Sequence, residues 1–115
     1  MMWLFTRHGS YSVVRDKADA RRVHVRARIK DDLERLRQFA RATATVEMPE
    51  IISTPDADYA YRAIIEQAAW VKIAARLAED VDYPNFKSKV HGERDRDRAY
   101  YEVWSAMNAL QGQRK

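Results

Sequence analysis

Residues 23 to 29, VHVRARI, alternate apolar and polar side chains without a break. In an extended chain successive side chains point to opposite faces, so Val23, Val25, Ala27 and Ile29 share one face and His24, Arg26 and Arg28 share the other. A β-strand is the only regular element that separates them this way. It must bury its apolar face and leave a cationic face behind. A cover follows at once in KDDLERLRQFA, where Leu33, Leu36 and Ala40 recur at helical spacing and Asp31 with Glu34 three residues on has the form of a capping box.

The same unit recurs. YAYRAII, residues 59 to 65, matches VHVRARI at an offset of 36, with Val25, Arg26, Ala27 and Ile29 corresponding to Tyr61, Arg62, Ala63 and Ile65. At an offset of 37, Leu33, Leu36 and Ala40 correspond to Trp70, Ile73 and Leu77. Each unit is preceded by a strand-like run, SYSVV at 10 to 14 and EIIST at 50 to 54, the second joined to its partner by the turn chemistry of TPDAD. The chain therefore reads as a degenerate ββα repeat used twice. The expected fold is α+β, a single domain over residues 1–115. Its antiparallel sheet of about four strands has permuted ferredoxin-like layering, and a C-terminal helix follows. One continuous meander with helices on both faces is the alternative.

Outside the repeat, WLFT at 3 to 6 reads as a strand leading through Arg7, His8 and Gly9 into SYSVV, by a turn, a bulge or a tight hairpin. DYPNFK, residues 82 to 87, is a proline-pinned segment carrying Tyr83, Asn85 and Lys87. It serves either as a binding loop or as a turn into a short helix, with Tyr83 and Phe86 plugging the core. Gly92 ends that piece. The last helix shows an apolar stripe of Tyr100, Val103, Trp104, Met107 and Leu110, which predicts that Trp104, like Trp70, is a core residue.

Composition narrows the function classes. No apolar run is long enough to cross a membrane and the N-terminus MMWLFTRHG does not resemble a signal peptide, so a cytoplasmic protein is expected. The absence of cysteine excludes disulfides, thiol catalysis and cysteine-ligated metals. The histidines, His8, His24 and His91, lack any spacing that would put two imidazoles on one metal, and no glycine-rich phosphate loop or nucleophile elbow occurs. Asp56 with Asp58, and Asp80 with Asp82, read as turn and cap residues. No catalytic residue, metal or cofactor is assigned. Charge is the remaining signal: residues 1 to 46 carry 11 Lys/Arg against 5 Asp/Glu, and the rest of the chain 10 against 12.

Several pieces, MWLFT at 2 to 6, SVV at 12 to 14, VRAR at 25 to 28, DYAYR at 58 to 62, DYPNFK and VWSAM at 103 to 107, resemble an uncharacterised family of short bacterial proteins of about this length. The resemblance implies a freestanding bacterial protein and carries over no activity, cofactor or catalytic residue.

The candidate binding residues are therefore His24, Arg26, Arg28 and Arg62 on the cationic face, with Tyr83, Asn85 and Lys87 on the loop. They favour a non-enzymatic binding or regulatory module that recognises an acidic protein surface or a second copy of itself, edge strands inviting a homodimer. Nucleic-acid binding through the basic face is the alternative. Against it, Tyr59 and Tyr61 alternate with Arg62 and are expected to point toward the helices, which leaves Trp3, Phe5 or Tyr11 to stack on bases. A small enzyme using His8 or His24 with an aspartate is the weakest reading. In a competing account of the arginines, the last helix and the preceding ERDRDR cover them and pair with them.

Overall fold

The computed structural model describes residues 1–81 and 94–113, which fall in two compact units, Met1–Val81 and Asp82–Lys115. The first unit is an antiparallel sheet with two helices, and it has five strands where about four were expected. They are β1 (Met2–Phe5), β2 (Ser10–Arg15), β3 (Arg22–Ala27), β4 (Ile52–Ser53) and β5 (Tyr61–Glu66), in the spatial order β1-β2-β3-β5-β4. The fifth is β1, which forms a hairpin with β2. Helix α1 (Lys30–Ala44) follows β3 and helix α2 (Gln67–Glu79) follows β5. Both helices contact the two central strands and each other, so they lie on one face, and the meander with helices on both faces is not the fold.

The two ββα units are thus β2-β3-α1 and β4-β5-α2, joined through their second strands. Val13, Val23, Val25, Ala27, Ala63 and Ile65 supply the covered face of the sheet, all buried. Leu33, Leu36 and Ala40 from α1 and Trp70, Ile73 and Leu77 from α2 pack on it, as their spacing predicts. Ile29 does not join them: it lies two residues beyond the end of β3, is exposed, and serves as the N-cap of α1. The capping box does not form either. Ile29 offers no side-chain cap, Asp31 turns along the helix to Arg35 at 3.0 Å, and Glu34 turns back to Lys30 at 3.8 Å.

The start of α1 is fastened by another carboxylate. Asp32, 1% exposed, accepts the backbone N–H of Ser10 at 3.1 Å, and its own carbonyl accepts the Tyr11 hydroxyl at 2.8 Å. Gly9 makes this approach possible, since a Cβ there would meet Asp32 Cγ at 2.6 Å and the Tyr11 hydroxyl at 2.8 Å. At the far end α1 stops on Thr45, which takes a left-handed φ of 53°. A β-branched residue is strained in that region. The turn nevertheless brings Met48 down into the core at 4% exposure.

The second unit is described here by helix α3 (Arg94–Gln113). Trp104 on it is 54% exposed, so the expectation of a core tryptophan is met by Trp70, at 5%, and not by Trp104. An apolar stripe fixes the phase of a helix but not which side chains are covered. Residues 82–93, which include Tyr83, Asn85, Phe86, Lys87, Val90, His91 and Gly92, lie outside the described residues.

Three substitutions test this packing by chemical denaturation. Trp70→Ala is expected to cost about 3–5 kcal/mol, the usual penalty for emptying an aromatic core site. Gly9→Ala is expected to cost about 1–3 kcal/mol by overpacking against Asp32. Thr45→Gly is expected to stabilise by about 1 kcal/mol, because glycine adopts the left-handed conformation without the side-chain clash.

Candidate functional site

The face of the sheet turned away from α1 and α2 carries the arginines. In the ladder between β3 and β5, Arg26 stands directly opposite Arg62. These two residues are also equivalents in the sequence repeat, so the approximate two-fold axis relating the ββα units passes between them. The register extends the line across all five strands as Trp3, Ser12, Arg26, Arg62 and Ile52. The ends of that row are exposed, Trp3 by 59% and Ile52 by 43%, while both arginines are half-buried and Ser12 is buried.

Among the described residues each guanidinium is held without being neutralised. Arg26 donates to the Ser12 hydroxyl at 2.7 Å and lies 4.5 Å from the centre of the Tyr59 ring. Arg28 lies 4.3 Å from the same ring and donates to the carbonyl of Asp58 at 3.0 Å. Arg62 is 3.1 Å from His24 Nδ1. A guanidinium only donates, so Nδ1 accepts, and the Nε2 side of the ring faces Asp16 Oδ2 at 3.3 Å, outside hydrogen-bond geometry. No carboxylate among the described residues reaches Arg26, Arg28 or Arg62. The Nε atoms of Arg26 and Arg62 are both buried with no hydrogen-bond partner.

That arrangement is costly. Like charges directly across a ladder are unfavourable, and each buried unpaired donor forfeits about 1–3 kcal/mol. Asp16 compensates only at a distance: its carboxyl is held below the usual carboxylate range, first by the backbone N–H of Ala18 and then by His24.

The sheet thus brings together His24, Arg26, Arg28 and Arg62 as expected. Tyr83, Asn85 and Lys87 lie outside the described residues, as does Glu93, the first residue of the ERDRDR cover. Tyr59 departs from expectation. Residues 57 to 60 bend instead of extending, and Thr54 ties that bend by donating its hydroxyl to the Tyr59 carbonyl at 2.7 Å, so the alternation of β5 begins only at Tyr61. Tyr61 packs against the core, whereas Tyr59 lies against the arginines. Tyr11 is buried in the core at 3% and is removed as a stacking surface, which leaves Trp3 as the exposed aromatic of the row.

A second polar cluster sits on the turn between β1 and β2. Asp80, at the C-cap of α2, accepts Arg7 Nε at 2.9 Å and its terminal nitrogen as well, and its Oδ2 is 2.9 Å from His8 Nε2. The His8 ring leans on Phe39 with centroids 4.6 Å apart. Beside it a depression of about 270 Å³ is lined by Phe39, Thr43, Arg76, Glu79 and Asp80. The cluster clamps the hairpin turn to the end of α2. Nothing in the sequence announces it, because Arg7 and His8 lie more than 70 positions from Asp80. Among the described residues no group of three or more His, Cys, Asp or Glu side chains is placed to hold a metal ion, and no helix is long and apolar enough to cross a membrane.

Asp80 titrates below the usual carboxylate range, chiefly because Arg7 donates to it and secondarily because of His8. A depressed native pKa stabilises the fold above the unfolded-state value, and that contribution disappears as the pH falls through the native value. Asp80→Asn is therefore expected to cost about 1 kcal/mol at neutral pH, a modest amount because the pair is partly solvated. It should also flatten the acid limb of a stability-against-pH curve measured by urea denaturation. Compared with known proteins, the chain matches no family model, no curated protein and no solved structure.

Proposed function

We propose that this chain is a non-enzymatic recognition module, and that the arginine-bearing face of its sheet binds an acidic segment of a protein partner. The observation that carries this reading is the pair of guanidiniums opposed across the β3–β5 ladder, which no carboxylate among the described residues reaches. Guanidinium groups fit carboxylates in bidentate fashion, and a carboxylate delivered between Arg26 and Arg62 would offset their repulsion. Tyr59 restricts Arg26 and Arg28 beforehand, which lowers the ordering cost of binding.

Nucleic-acid binding is the second reading, favoured by Trp3, an exposed indole in the same row as the arginines. Fluorescence anisotropy with a labelled glutamate-rich peptide and with a single-stranded oligonucleotide separates the two. The peptide is expected to bind, and Arg26→Gln with Arg62→Gln to weaken it by about tenfold or more, or about 1.4 kcal/mol. The same double variant should be at least as resistant to denaturant as the wild type, since it removes a like-charge pair. Tighter binding of the oligonucleotide, with a steep salt dependence, would transfer the face to the second reading. A third partner is a second copy of the chain. The edge strand β1 spans four residues and β4 only two, so β1 is the edge on which a homodimer would form, and light scattering tests it.

A further inference from the structure

The row through the arginines is not uniformly cationic. It places two positive charges at the centre, a buried hydroxyl beside them, and an exposed apolar side chain at each end, Trp3 on β1 and Ile52 on β4. A polyphosphate chain lying along it would meet cations only in the middle. It would also meet the Asp16 carboxylate on the flank beside His24. A peptide whose acidic residue is bracketed by apolar ones meets a complementary group at every station.

Resting on the recognition reading above, we infer that the bound segment crosses the strands along this row, setting one Asp or Glu between Arg26 and Arg62 and an apolar side chain on Trp3 and on Ile52. Strand spacing fixes the pattern. Neighbouring strands are about 4.8 Å apart, so the point midway between the arginines is about 12 Å from the Trp3 strand and about 7 Å from the Ile52 strand. An extended peptide advances about 3.3 Å per residue and turns alternate side chains to the same face, which places one apolar residue about two positions from the acid and the other about four positions away on the opposite side. The spacing is asymmetric because Ser12 of β2 intervenes on one side only. Charge centred on the arginines fixes where the peptide sits, and the apolar ends fix its register.

The test compares peptides on the full-length protein by anisotropy: one with this asymmetric spacing, one of the same composition with both apolar residues moved next to the acid, and one with glutamine in place of the acid. The spaced peptide is expected to bind about tenfold more tightly than the rearranged one. Trp3→Ala and Ile52→Ala, both at exposed edge positions, should each erase that difference while leaving the circular dichroism spectrum unchanged. The glutamine peptide should lose binding to the wild type. Equal affinity for the spaced and rearranged peptides would overturn the row and leave the acidic-segment reading standing. Failure of both acidic peptides, with the glutamate-rich peptide also unbound, would overturn both. Preference for an oligonucleotide over every peptide would do the same in favour of nucleic acid.

Discussion

The antiparallel pairing of β3 with β5 is the contact on which the rest of the first unit depends. It joins the two ββα halves, aligns Val23, Val25, Ala63 and Ile65 into one apolar surface, and gives both helices a common floor. It also forces Arg26 against Arg62. The apolar gain and the electrostatic penalty are thus two faces of a single register. A slip by one residue would relieve the arginines and send the whole apolar set to the wrong side. The core wins because several fully buried aliphatic side chains, each worth about 1.5–3 kcal/mol, outweigh one repulsive pair.

The parts of this fold legible in the sequence are those governed by periodicity. Alternation in VHVRARI and YAYRAII located the central strands and their faces, and the spacing of Leu33, Leu36 and Ala40 and of Trp70, Ile73 and Leu77 located the buried sides of two helices. The parts that escaped depend on where alternation begins and on contacts between distant residues. Tyr59 looked like one more step of β5, yet the bend tied by Thr54 precedes the strand. Asp31 and Glu34 had capping-box spacing, but their nearer opportunities were Arg35 and Lys30, one helical turn away. Trp104 carried the right stripe, and the stripe says nothing about what lies against it.

Half of the candidate site was similarly visible. The cationic strand face followed from alternation alone, whereas the use of Tyr59 to brace Arg26 and Arg28, and of His24 to hold Arg62, needed coordinates. Domains of this size are commonly stable by about 5–15 kcal/mol, so three unpaired buried donors, the Nε2 of His24 and the Nε atoms of Arg26 and Arg62, consume an appreciable share. Such a cost at the centre of a sheet is the kind of local inconsistency that accompanies binding surfaces.

The internal repeat sharpens the point. When two like halves meet about an axis, the residue on that axis always faces its own kind, so a charge placed there is doubled and never balanced from within. Hydrophobic axis residues tolerate this and charged ones do not. The halves differ elsewhere, as at Leu33 and Trp70, but only a change in one half alone would remove the like-charge pair at Arg26 and Arg62. With arginine in both halves, the centre of the sheet keeps a like-charge pair that no carboxylate among the described residues balances.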